Sequence, residues 1–210
     1  MTTKIGLIAD IHAYAEPLTE ALLLFNNEEV DLILCSGDIA GYGDELEQTV
    51  GLLIENQCQT VIGNHDIWHL EETLEEEKTP AEAYMEQLPA AREYFIEGKS
   101  LYVVHARPPL ANRHGIKLLD EYGELVPEQV KSWAQRLEGF EYDVLVVGHT
   151  HQVFAEQLGR TLVINPGSTQ FNHSCGILSL PDMQFELFAL SNETILKSWN
   201  WGTFLLGDSP

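Results

Sequence analysis

The chain is short of positive charge. Its 210 residues include 11 Lys and Arg against 33 Asp and Glu, a formal net charge of −22. That balance leaves no basic stripe for duplex DNA and disfavours an anionic membrane surface. Cysteine is also scarce. Cys35, Cys58 and Cys175 are odd in number and widely spaced, so no disulfide framework is expected, and a reducing cytoplasm fits. No apolar run approaches the ~18 residues of a membrane span. The first apolar run meets Asp10 too early for a signal peptide. Internal repeats and low-complexity linkers are missing as well. At 44% apolar and 21% charged, the composition is that of a globular chain. One domain over residues 1–210 is the expectation, and a homo-oligomer stays open.

What is present is an alternation of strand and helix patterns. Residues 4–9, 31–35 and 60–62 read as short buried strands, and 17–25 and 46–54 carry helical spacing. That βαβαβ order predicts a parallel sheet. Residues 67–97 begin acid-rich, with Glu71, Glu72, Glu75, Glu76 and Glu77, and read as one or two surface helices. They give a candidate helical lid around 67–98. A strand at 101–104, a loop at 107–123, a helix at 127–137 and a strand at 143–147 follow. Beyond Gly148 the pattern is β-rich, with short strands at 153–158, 161–164, 176–180 and 184–190. Trp199, Trp201 and Phe204 read as packing residues, with a dimer contact as the alternative.

The chemistry-bearing residues lie at strand ends. Asp10 and His12 follow the first strand and Asp38 the second. Asn64, His65 and Asp66 follow the third. His105 ends the fourth, and His149 and His151 follow the fifth. Ligands in open α/β sheets bind at the carboxyl ends of strands, so these residues are predicted to meet at one edge. Mixed imidazole and carboxylate donors suit borderline first-row metals, whereas a calcium or magnesium cage would use oxygen alone. Any one motif is weak, since a lone Asp-x-His or Gly-Asp is usually coincidence or a turn. Five in order, each at a strand end, specify a metal cluster.

With those motifs the chain resembles the calcineurin-like metallophosphoesterases, whose pattern is D-x-H, G-D, G-N-H-D/E, a later H and G-H-x-H. The resemblance spans most of the sequence. It implies an α/β fold, a four-layer αββα sandwich with two sheets flanked by helices. It implies that Asp10, His12, Asp38 and His151 hold one metal. Asp38, Asn64, His105 and His149 would hold a second, with Asp38 bridging. Two divalent transition-metal ions are the implied cofactors, manganese first, with Fe, Zn, Ni and Co as alternatives. Asn165-Pro166-Gly167-Ser168 is similar to the small bacterial and archaeal phosphodiesterase branch. Ala13-Tyr14 and Ala106 depart from the Gly-Asn and Gly common in the family and add side chains near the metals. The segment Gly37-Asp38-Ile39-Ala40-Gly41-Tyr42-Gly43 lacks the Asp and Arg of the protein-phosphatase branch, which argues against a Ser/Thr protein phosphatase.

The implied reaction is phosphoester hydrolysis by a metal-bridging hydroxide. A phosphodiesterase acting on nucleotide-type or other small phosphoesters is the first expectation. A phosphomonoesterase or a dinucleoside-polyphosphate hydrolase is the alternative, and a non-catalytic metal-binding scaffold is the reading from another class. His65 is the candidate general acid. Asp66 is a candidate beside it, either supporting the site or capping a helix. Asn64, His65, Arg107 and Arg113 are candidate substrate contacts, with His114 and Lys117 in the same loop.

Overall fold

The structure is a computed structural model that describes residues 2–111 and 113–200. Trp201 and Phe204 lie outside the described residues. Ten strands form two mixed five-stranded sheets. The first contains β1 (Thr3–Ile8), β2 (Leu32–Cys35), β3 (Gln59–Thr60), β9 (Ser174–Leu180) and β10 (Gln184–Ala189), in the order β10-β9-β1-β2-β3. The second contains β4 (Ala91–Ile96), β5 (Lys99–Val104), β6 (Val144–Val146), β7 (Val153–Leu158) and β8 (Thr161–Pro166), in the order β4-β5-β6-β8-β7. The helices are α1 (Ala15–Asn27), α2 (Leu46–Glu55), α3 (Asn64–Glu72), α4 (Pro80–Met85) and α5 (Pro127–Arg136). The parallel β1-β2-β3 pairing predicted from the opening βαβαβ pattern is present.

Side-chain alternation explains the layers. Ile5 and Leu7 of β1 point between the sheets, where they meet Leu101 and Val103 of β5 and Val144 and Val146 of β6. Ile8 of the same strand faces the other way, into a core with Leu18 and Phe25 of α1, Leu53 of α2 and Met85 of α4. On the far side of the second sheet, Tyr102, Val104 and Leu145 pack with Trp133 of α5 and Leu137. Central strands buried on both faces carry apolar residues at every position, hence their continuous apolar runs. α1 lies close on β1 because residue 6 is glycine: a Cβ there would sit 2.7 Å from the Phe25 ring.

One expectation is corrected. Residues 91–97 belong to the segment read as helical, yet Ala91–Ile96 is an edge strand paired antiparallel with β5. Tyr94 and Ile96 pack between the sheets while Phe95 is exposed. Period two holds, but over too few residues to stand out beside helical spacing. Earlier in the same segment, Ala81 and Met85 are built into the α1 core.

Candidate active site and metal centre

Both sheets contribute to one edge. Asp10 and His12 follow β1, Asp38 follows β2, and Asn64 opens α3 beyond β3. From the second sheet, His105 follows β5, and His149 and His151 follow β6. Cross-links between the sheets close the site. The His149 N–H donates to both carboxylate oxygens of Asp10 at 2.9 Å, and His105 Nδ1 donates to the Ser36 carbonyl at 2.7 Å. Five of the seven candidate ligands have left-handed backbone: Asp10, His12, Asp38, His149 and His151, with φ between 48° and 69°. Non-glycine residues are rarely held there, and such strain gathers at functional sites.

The donor atoms converge. Asp10, His12 and His151 offer ligand atoms within 4.8 Å of one another, as do Asp38, His105 and His149. His12 Nε2 faces His151 Nε2 at 3.0 Å. Asn64 Oδ1 lies 3.0 Å from His105 Nε2 and 2.7 Å from His149 Nδ1. The opposite ring nitrogens are anchored: His12 Nδ1 donates to the Ala40 carbonyl at 3.2 Å, as His105 Nδ1 does to Ser36. Those bonds orient both rings with Nε2 directed into the site. Buried His151 Nδ1 has no hydrogen-bond partner among the described residues.

Electrostatics favour cations. Burial holds His12 and His149 near pKa 4 and His151 well below the usual imidazole range, so all three rings are neutral lone-pair donors. Burial raises Asp10 to about 7, with Asp38 adding to the effect. Burial would also raise Asp38, but the adjacent His105, 3.3 Å away, holds it below the carboxylate range. Burial alone would lower His105; Asp38 instead raises it to about 9. Three buried carboxylates, Asp10, Asp38 and Asp66, crowd this edge, and the mixed imidazole and carboxylate set fits borderline divalent metals.

Comparison with known proteins agrees with this geometry. The profile of the calcineurin-like phosphoesterase superfamily domain matches residues 3–179. The chain belongs to this superfamily. An uncharacterised protein of Methanocaldococcus jannaschii is 28% identical over 182 residues, 79% of this chain and 69% of the relative. A metallophosphoesterase from Sphaerobacter thermophilus has a similar fold at a TM-score of 0.63 and 22% identity, covering 91% of this chain and 90% of its own. An archaeal phosphodiesterase is similar at a TM-score of 0.59 and 19% identity, covering 90% of this chain and all of its own.

In this phosphoesterase, a metal-dependent phosphoester hydrolase, the remaining candidates separate. Half-buried His65 lines a cleft of about 480 Å³ above Asp38, Asn64, His149 and His151. Its N–H donates to Asp38 Oδ1 at 2.9 Å, its Nε2 lies 3.2 Å from the Tyr42 hydroxyl, and it forms a third donor cluster with His12 and Asp38. Asp66, expected either to support the site or to cap a helix, sits behind the Asp38 loop. It is fully buried, lies outside the cleft lining, and accepts from the backbone N–H groups of Asp38, Ile39, Ala40 and Gly63 at 2.7–3.1 Å. It thereby ties the Asp38 loop to the start of α3. Gly63 is required there, since a Cβ would come within 2.1 Å of Asp38 Oδ1.

Arg107 and Arg113, the expected substrate contacts, are not among the residues lining the cleft. The Arg107 backbone bridges to Ala111, and the Arg113 guanidinium sits 5.6 Å from the ring centroid of Trp68, which does line it. Lys117 is the one Lys or Arg among the described lining residues. His69 pairs with Glu82 at 2.6 Å, away from the donor set. Asn165 donates to the Gly148 carbonyl and to Thr150, and Ser168 to the Asp10 carbonyl, so the Asn-Pro-Gly-Ser segment braces two ligand loops. From sequence alone Tyr42, Trp68 and Phe171 have no role at the site, and Trp199 has a packing role with a dimer contact as the alternative. Tyr42, Trp68 and Trp199 line the cleft, and Phe171 stacks on Trp199 and His151.

Proposed function

We propose that this phosphoesterase is a two-metal phosphodiesterase hydrolysing small phosphodiesters, nucleotide-type ones among them. The observation that carries the reading is Asp38. One buried carboxylate belongs both to a cluster with His12 and to a cluster with His105 and His149, at the floor of a solvent-facing cleft. Asp10, His12, Asp38 and His151 would hold one ion, and Asp38, Asn64, His105 and His149 the other. Two divalent ions, manganese first, would act there as Lewis acids toward the phosphoryl oxygens and toward water.

The chain's own groups do the rest. The anchored rings of His12 and His105 fix donor direction, and Asp66 fixes the Asp38 loop. His65 faces the cleft and delivers a proton to the leaving oxygen. Burial lowers its pKa, which makes it a stronger acid with a smaller protonated fraction. Asp120 and Glu121 also line the cleft, against the single cation Lys117. The likeness in fold to an archaeal phosphodiesterase supports the diester reading. A non-catalytic scaffold would have no need of His65 beside a full donor set.

The test is hydrolysis of bis(4-nitrophenyl) phosphate and 4-nitrophenyl phosphate by Mn²⁺-loaded protein. Metal-stimulated cleavage with the diester faster is expected; no cleavage of either overturns the reading. His65→Ala should lower the rate by about 10²–10⁴ with metal content retained, and full activity in that variant refutes the acid assignment.

A further inference from the structure

Rings crowd one part of the cleft lining, Trp68, His65, Tyr42 and Trp199, and Phe171 joins them into a series without itself lining the cleft. Trp68 meets His65 at a centroid distance of 4.9 Å, and His65 meets Tyr42 at 4.9 Å. Tyr42 meets Phe171 at 5.5 Å, and Phe171 stacks on Trp199 at 4.4 Å and 25°. The series rests on the donor set: His12 lies 4.7 Å from Tyr42, and His151 stacks on Phe171 at 5.4 Å and 15°. It is accessible, since Trp68 is 38% and Tyr42 41% exposed. It is also held. The Trp199 N–H donates to the His151 carbonyl at 3.0 Å, which fixes this stretch of chain to a ligand loop. The opposing residues are charged or aliphatic: Lys117, Leu119, Asp120 and Glu121.

Trp68 stays exposed with the Arg113 guanidinium 5.6 Å from its ring centroid, and a stacked ring would cover apolar surface that remains open to solvent. The bound ions would serve the phosphate, but beyond them the described lining offers one cation, Lys117, beside Asp120 and Glu121, so the rest of a substrate gains little from charge. Stacking is the charge-independent alternative, and it suits any flat, neutral heteroaromatic ring tethered to a phosphate.

We infer that the ring series is a nucleobase platform, and that Trp68 and Trp199 make this phosphoesterase selective for nucleoside phosphodiesters over diesters without a base. The inference rests on the hydrolase reading and narrows it. A nucleobase seated on the series lies beside His65, so the nucleoside is the group whose oxygen receives the proton.

Binding separates the two readings. Calorimetry on the Mn²⁺-loaded protein should give adenosine 5′-monophosphate about tenfold or more tighter affinity than ribose 5-phosphate, in line with base–aromatic stacking. Trp68→Leu and Trp199→Leu should each remove most of that advantage, while Trp68→Phe retains it. Equal affinity for the two ligands, no binding of either, or an advantage untouched by both leucine variants overturns the platform. Aryl-diester hydrolysis, run on the same wild-type protein, reports the hydrolase reading by itself. Hydrolysis without base preference refutes the platform alone, and base preference without hydrolysis refutes the reaction alone.

Discussion

Four backbone N–H groups point at the Asp66 carboxylate. An asparagine there would turn an N–H donor toward N–H donors, and a buried unmatched group of this kind costs about 1–3 kcal/mol. Asp66→Asn should therefore loosen the Asp38 loop and weaken metal affinity by about 10–100-fold, a usual range for groups that orient ligands. Titration of Mn²⁺ into the variant checks this, and unchanged affinity would show that Asp66 acts only as a helix cap. At this scale the sequence was legible wherever chemistry restricts residue type. Metal donors must be Asp, His or Asn, and all seven candidates converge at one edge. The ring series was not legible, because Tyr42, Phe171 and Trp199 are residue types that any core uses and lie far apart in the chain. Only the tertiary fold brings them together. Arg113, expected as a phosphate contact, packs on Trp68, a neighbour no local pattern in the sequence announces.

Among the elements, α4 is the one most dependent on its cap. Thr79 and Glu82 form a reciprocal capping box, and Glu82 is buried against His69. Burial would raise the Glu82 pKa, but hydrogen bonds from Thr79 and His69 outweigh it and hold it at about 2. A depressed folded-state pKa stabilises the fold above the ordinary value of 4.5, and that stabilisation is lost as pH falls toward 2. The Tm gap between wild type and Glu82→Gln should be widest at neutral pH and narrow between about pH 4.5 and 2. A gap independent of pH would mean that the carboxylate charge does not hold the cap. The same region shows why strand β4 escaped the sequence reading while β1, β2, β5 and β6 did not. Strands buried on both faces are continuous apolar runs, whereas β4 is an edge strand that presents Glu93 and Phe95 outward.

For the molecule as a whole, two sheets pack face to face and supply one donor set at a shared edge. The four-layer arrangement was implied by the motif resemblance, while strand and helix order gave the parallel β1-β2-β3 pairing. Among the described residues no helix is long and apolar enough to cross a membrane. Two divalent ions would remove four of the 22 negative charges and leave the surface acidic, so the site must bind its substrate through local groups. The central claim is a shared two-ion site in which Asp38 belongs to both halves. Metal stoichiometry tests it most directly, measured by elemental analysis of Mn²⁺-equilibrated wild type and Asp38→Ala. The account predicts two ions per chain in the wild type and loss from both positions in the variant. One ion per chain in the wild type, or a variant that keeps one ion at full affinity, would contradict it.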